Sequence, residues 1–186
     1  RLSRGSMTWR PSASIEALRA RARLYQQLRT FFAERGVLEI EAPVMGAAAV
    51  TDPYIDSIRA RCGDTTVYLQ PSPEFAMKRL LAAGSGSIYS LGKVFRNGEK
   101  GRRHNPEFTL LEWYRTGFDD HQLMAEVAQL FEYVLPGLSV RKISYRDWFT
   151  PLHLDPHTAS AAELEAEARK WIETGIESDD RDLWLD

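Results

Sequence analysis

The run VFRNGEKGRRHNPEFTLLEWYR, Val94 to Arg115, sets Arg96, Lys100, Arg102, Arg103, His104 and Arg115 among few carboxylates and ends in an aromatic-rich segment. Clustered cations suit a ligand with several negative charges, and a guanidinium fork suits phosphate in particular. In an extended strand, alternate residues share a face. Phe108, Leu110, Glu112 and Tyr114 would then stand on one side, with Thr109, Leu111, Trp113 and Arg115 on the other. The first face offers an aromatic platform, a carboxylate and a phenol, which together could hold a flat base and an ammonium group. The same pattern also fits a core hairpin in which Phe108 and Leu110 pack and Glu112 pairs with an arginine. His153 and His157 do not add a metal site to this picture. Pro156 between them breaks the helical face that would aim both at one ion.

The elements that must position these residues follow from periodicity and punctuation. Ser12 or Ser14 can cap a helix whose apolar positions Ile15, Leu18, Ala22, Tyr25, Leu28 and Phe32 recur at steps of three and four, with Gly36 as its stop. VLEIEAPVM reads as a short strand ending at Pro43, and TTVYLQ as another. In PSPEFAMKRLLAAGSG, Ser72 is the expected N-cap, Pro73 the first helical residue, and Gly84 and Gly86 the end. Gly84-Ser85-Gly86 fits such a cap better than a phosphate loop. SIYSLGKVF and EFTLLEWYR are two strands joined by the basic loop. Asp120 is expected to cap a helix with Leu123, Val127, Leu130, Phe131 and Val134 on one face, stopped at Pro136-Gly137. Short helices punctuated by Pro151 and Pro156 complete an α+β pattern.

Composition narrows the classes. The 186 residues are 44% hydrophobic and 27% charged, enough for one sizeable core, and the net charge of −2 gives no global field for nucleic acid. Five cations between Lys93 and Arg103 face only Glu99, whereas the stretch from residue 161 onward is strongly acidic and reads as a solvated face. A single cysteine, Cys62, suits a reducing, cytoplasmic setting. No apolar run approaches the roughly 20 residues of a membrane span. RLSRGS, residues 1–6, reads as a tag or upstream remnant, leaving 7–186 as the folded part.

The motifs themselves go further. FRNGEKGRRHNPEFTLLEWYR resembles motif 2 of the lysine branch of class II aminoacyl-tRNA synthetases, FFAERGVLEIEAPVM resembles motif 1 with its terminal proline, and PSPEFAMKRLL resembles the amino-acid-binding helix. WRPSASIEALRARA, VTDP and GRRHNPEFTLLEWYR are similar, in particular, to the ligases of this branch that modify elongation factor P. The resemblance implies an antiparallel sheet flanked by helices. It also implies a reaction in which an amino-acid carboxylate attacks the α-phosphate of ATP. The protein then orients two anions and neutralises the charge that builds between them. By the same resemblance Arg96 is the catalytic residue, gripping the α-phosphate. Asn97, Gly98, His104 and Asn105 are nucleotide contacts, and Phe108 stacks on adenine. Ser72, Pro73 and Glu74 form the amino-acid site, with Glu74 receiving the α-amino group, and Glu112 and Tyr114 lie near a side-chain ammonium. Glu74 has a plainer alternative use, complementing the helix dipole. Arg102 and Arg103 are equally open to solvent, to ATP or to a macromolecular partner.

Two departures stand out. The family's Arg-x-Glu is here Arg96-Asn97-Gly98, with Glu99 one place later. A glycine-rich motif 3 is absent, so the resemblance is to the N-terminal part of such a catalytic domain. The Mg2+ that accompanies ATP would have its ligands outside these residues. Few residues precede the first helix, which leaves no room for an anticodon-reading OB-fold. The resemblance favours a lysine-type amino acid, elongation factor P and a second copy of the chain as partners over tRNA, with no membrane; lysyl-tRNA synthetase and a non-catalytic dimerisation or partner-binding module are the alternative readings.

Overall fold

The computed structural model describes residues 11–98, 101, 104–173, 175–176 and 178–185. The readings placed on residues 1–6, Trp9, Glu99, Lys100, Arg102 and Arg103 lie outside the described residues. The chain divides into two compact units, Arg1–Leu138 and Ser139–Asp186. Among the described residues, no helix is long and apolar enough to cross a membrane.

In the first unit, helix α1 spans Ile15–Ala33, with the Ser14 hydroxyl accepting the N–H of Ala17 at 3.1 Å. Its buried residues are Leu28, Phe31 and Phe32, all from the C-terminal half. Ile15 and Leu18, expected on the apolar face, are 62% and 47% exposed, so the apolar stripe is buried only toward the C-terminal end of the helix. Gly36 turns the chain with φ +66°, a left-handed conformation that costs glycine nothing. The strand expected over VLEIEAPVM is much shorter. Only β1, Leu38–Glu39, forms, and it runs parallel to β5. Proline at 43 offers no N–H to a ladder, and Met45–Gly46 (β2) pairs with a different strand, β4.

Strands β3 (Arg59–Cys62) and β4 (Thr65–Leu69) form a hairpin that, with β2, makes a small antiparallel sheet in the order β2-β4-β3. Its two-residue turn is Gly63-Asp64, with Gly63 at φ +60°. Helix α2 covers Glu74–Ala82 and buries Met77 completely. Strands β5 (Ile88–Phe95) and β6 (Glu107–Tyr114) pair antiparallel along their whole length, Ser90 opposite Glu112 and Val94 opposite Phe108. Helix α3, Asp120–Val134, is capped by Asp119 with Gln122 in a reciprocal capping box, one residue earlier than Asp120.

Helices α1 and α3 cover one face of the β1-β5-β6 sheet. Leu28, Phe31, Phe32, Val37, Tyr89 and Leu130 form the buried cluster, with Leu91, Leu111 and Trp113 packed against it. The rings of Phe32 and Tyr89 stack at 4.5 Å. Burial of Leu111 and Trp113 under the helices turns Phe108, Leu110, Glu112 and Tyr114 to the opposite face, as strand parity requires.

The second unit holds α4 (Tyr145–Phe149), a 3-10 turn at Thr150–Leu152, α5 (Ala161–Ala168) and α6 (Arg181–Leu185) around Phe149, Ala159 and Leu164. Ser160 and Glu163 form a capping box for α5, and the hydrogen bonds from Ser160 hold the Glu163 carboxyl below its usual range. Arg181 ties α6 back by donating to the carbonyls of Ala159 and Pro156.

Candidate active site

The helix-free face of β6 meets the start of α2. The Ser72 hydroxyl donates to Glu112 Oε2 at 2.6 Å, and its Oγ accepts the N–H of Glu74 at 3.0 Å. The N-cap position itself falls on Pro73, one residue later than expected, and no side chain caps it. Ser72 still satisfies the orphan donor of the first helical residue, from one position further out. On its other oxygen, Glu112 Oε1 accepts the Tyr114 hydroxyl at 2.9 Å. Burial, then the hydrogen bond to Glu112 and the charges of Glu112 and Glu74, push the Tyr114 phenol well above its ordinary range. It therefore remains a donor at neutral pH.

Glu74 is half-exposed and pairs with Lys78 one turn along α2. Beside it opens a cavity of about 250 Å³, lined among others by Gly46, Tyr68, Gln70, Ser72, Glu74 and Phe75. Ser72 and Glu74 line this cavity together with Arg79, while Glu112 and Tyr114 join it only through the Ser72 hydroxyl. Chemically, Glu112 and Glu74 can each accept an ammonium, and Glu74 already holds that of Lys78.

The other end of the same face is basic and aromatic. Arg96 follows β5, and its guanidinium carbon lies 5.2 Å from the centre of the Phe108 ring. The Arg96 N–H donates to the carbonyl of Pro106 at 2.9 Å, which closes the loop root. Asn97 is held by Asp56 through both backbone (2.8 Å) and side chain (2.6 Å), so its amide anchors the loop. Gly98 adopts φ +76°, a conformation in which a glutamate would be strained. His104 and Asn105 are exposed, and His104 exchanges backbone hydrogen bonds with Gly101 at 3.1 and 3.3 Å. Four residues of strand separate Phe108 from Glu112, about 13 Å at the usual rise.

The structure thus brings together Ser72, Glu74, Glu112 and Tyr114, with buried Pro73 beneath them, and separately joins Arg96 to Phe108. Among the described residues, no hydrogen bond joins His104 or Asn105 to either group. Sequence reading missed Asp56, Lys78 and Glu126. Lys78 was legible as the i+4 partner of Glu74. Glu126 was legible as a carboxylate inside the apolar stripe of Leu123, Val127 and Leu130, whereas nothing local marked Asp56. His157, one of the two histidines weighed for a metal, packs its ring against Tyr145. Among the described residues, no group of three or more His, Cys, Asp or Glu side chains is arranged to hold a metal ion.

This sheet, hairpin and helix arrangement is that of a class II synthetase. The family model for class II tRNA synthetases (D, K and N) matches residues 1–180, and the chain belongs to that family. It is 48% identical over 169 residues to an elongation factor P–(R)-β-lysine ligase of Vibrio vulnificus (strain YJ016), covering 87% of this chain and 52% of that protein. A ligase of the same name from Yersinia enterocolitica is 46% identical over 187 aligned positions, covering 96% of this chain and 58% of the relative. The chain therefore spans little more than half the length of the curated relatives it matches. Among solved structures, asparaginyl-tRNA synthetase from Pyrococcus horikoshii, complexed with asparaginyl-adenylate, superposes with a TM-score of 0.56. That match is 23% identical and covers 63% of this chain and 27% of the other, a likeness of fold.

Proposed function

We propose that this chain is the motif 1 and motif 2 portion, residues 7–186, of a cytoplasmic ATP-dependent ligase. The enzyme activates a lysine-type amino acid and transfers it to a lysine of elongation factor P. The observation that carries the reading is the placement of the hydrogen-bonded Ser72–Glu112–Tyr114 cluster and the Arg96–Phe108 pair toward opposite ends of one strand face. The names of the relatives support the choice of substrate and partner.

In the first step a carboxylate oxygen of the amino acid bonds to the α-phosphorus of ATP, and the bond to pyrophosphate breaks. Arg96 neutralises charge on the α-phosphate as it builds, while Phe108 offers its ring to the base. Glu74 receives the α-amino group and Glu112 with Tyr114 the side-chain amine, which fixes the carboxylate for in-line attack. In the second step the acceptor lysine amine attacks the mixed anhydride. An amide forms, AMP leaves and the amine proton passes to solvent. Mg2+ would neutralise the phosphates from ligands outside this chain. In a two-fold dimer, the exposed first turns of α1 would supply the contact face.

The test is ATP–pyrophosphate exchange by the full-length protein with α- and β-lysine, followed by mass analysis of elongation factor P. Exchange that needs a lysine-type substrate and a matching mass gain on one lysine of the factor is the expected result. Exchange supported equally by norleucine would remove the amine pocket from the reading.

A further inference from the structure

Behind Glu112 and Tyr114, on the core side of β6, lies a second polar cluster that the reaction does not use. Glu126 of α3 is 4% exposed, yet it is an ionisable residue in an apolar stripe. Its Oε2 accepts the indole N–H of Trp113 at 3.1 Å, and its Oε1 lies 3.2 Å from Nε of Arg115. Arg115 in turn reaches the carbonyl of Arg35 at 3.4 Å and sits over the Phe118 ring. Trp113 leans on Phe32, with ring centres 5.5 Å apart. Trp113 and Arg115 alternate in sequence with Glu112 and Tyr114. One buried carboxylate therefore holds both core-facing residues at the end of the strand whose other face carries the candidate amine site.

We infer that Glu126 is a positioning residue for the amine pocket. The ladder to β5 fixes the register of β6, with Ser90 opposite Glu112. It does not fix the twist of the strand, which varies widely between sheets. One directional bond, from the Trp113 indole to Glu126, and the close ion pair between Glu126 and Arg115 set that twist where Glu112 and Tyr114 emerge. An apolar contact, being non-directional, would hold α3 against the sheet without setting it. The inference rests on the proposed function, because it assigns a consequence to the geometry of the amine site.

The experiment compares wild type, Glu126→Gln and the double variant Arg115→Met/Glu126→Leu in the full-length protein. The double variant removes both buried charges and keeps the volume filled, so it is expected to fold even if the single variant does not. In whichever variant folds, the KM for the lysine substrate should rise roughly tenfold, the KM for ATP should stay within about twofold, and the preference for lysine over norleucine should narrow. A folded variant with a lowered melting temperature and wild-type KM and preference would overturn the inference and leave Glu126 a stability residue. If wild type itself does not prefer lysine to norleucine, the proposed function fails and this inference falls with it.

Discussion

Ser72 and Glu112, forty residues apart in sequence, are joined by a 2.6 Å hydrogen bond that couples the start of α2 to the C-terminal part of β6. The same hydroxyl oxygen accepts the N–H of Glu74, so one serine links the Glu112 carboxylate to the backbone that carries Glu74. Ser72→Ala strips a donor from Glu112 and an acceptor from Glu74 together. The expected cost is about 1–3 kcal/mol of stability, measured by urea unfolding, together with a raised KM for the amino acid. A stable variant with an unchanged KM would mean that the two carboxylates hold their places without it.

Arg96→Ala should damage adenylate formation far more than folding. Removing one well-placed donor to developing negative charge costs on the order of a hundred- to a thousand-fold in rate. Arg96→Lys should recover only part of this, because an ammonium keeps the charge but loses the planar fork. Pyrophosphate exchange by the alanine variant within about tenfold of wild type would take the α-phosphate away from Arg96.

Phe32 is completely buried, stacked on Tyr89 and tilted against Trp113, at the point where α1, β5 and β6 meet. Phe32→Ala should lower unfolding free energy by about 3–5 kcal/mol. The denaturant midpoint reads it directly. A loss below about 1 kcal/mol would show that the neighbouring rings close over the space.

What the sequence disclosed depended on how local the cause was. The faces of β6 were legible because strand parity puts Leu111 and Trp113, which pack against the core cluster, on the side opposite Glu112 and Tyr114. The two-residue β1 was overestimated because Ile40 and Val44 look strand-like, while the pairing that would extend them is decided by where β5 runs. The β3 strand, Arg59–Cys62, was passed over since its exposed, arginine-bearing side chains carry no apolar alternation, although Gly63-Asp64 is a hairpin turn signal. The Ser72–Glu112–Tyr114 cluster was legible only in part. Glu112 and Tyr114 share a face by parity, but their link to Ser72 is a tertiary contact that no spacing encodes. Nor could spacing reveal that Asn97 is committed to Asp56.

The last prediction concerns alkaline pH, where two tyrosines act in the same direction. Tyr89 is almost wholly buried and donates to Glu39 Oε2 at 2.7 Å. Burial first, then the hydrogen bond and charge of Glu39, push its phenol well above the ordinary range, with Arg29 pulling weakly the other way. Tyr114 is raised for the corresponding reasons, with Glu112 as its acceptor. A raised folded pKa means that the native state keeps a proton which the unfolded chain gives up. The stabilisation is therefore complete below the unfolded pKa of about 10, and is lost as pH rises above it. Other groups titrate in the same window, so the informative quantity is the difference between wild type and Tyr89→Phe. At neutral pH that variant should cost only about 1 kcal/mol, the net worth of one hydrogen bond, because the partly exposed Glu39 keeps Arg29 as a partner. Above about pH 10 the advantage of wild type should shrink steadily, since phenylalanine has no proton to lose from the unfolded state. Urea unfolding of both proteins at neutral pH and above pH 10 measures it. A difference that stays constant across that range would show that the Tyr89 phenol titrates normally and that its bond to Glu39 does not hold the proton.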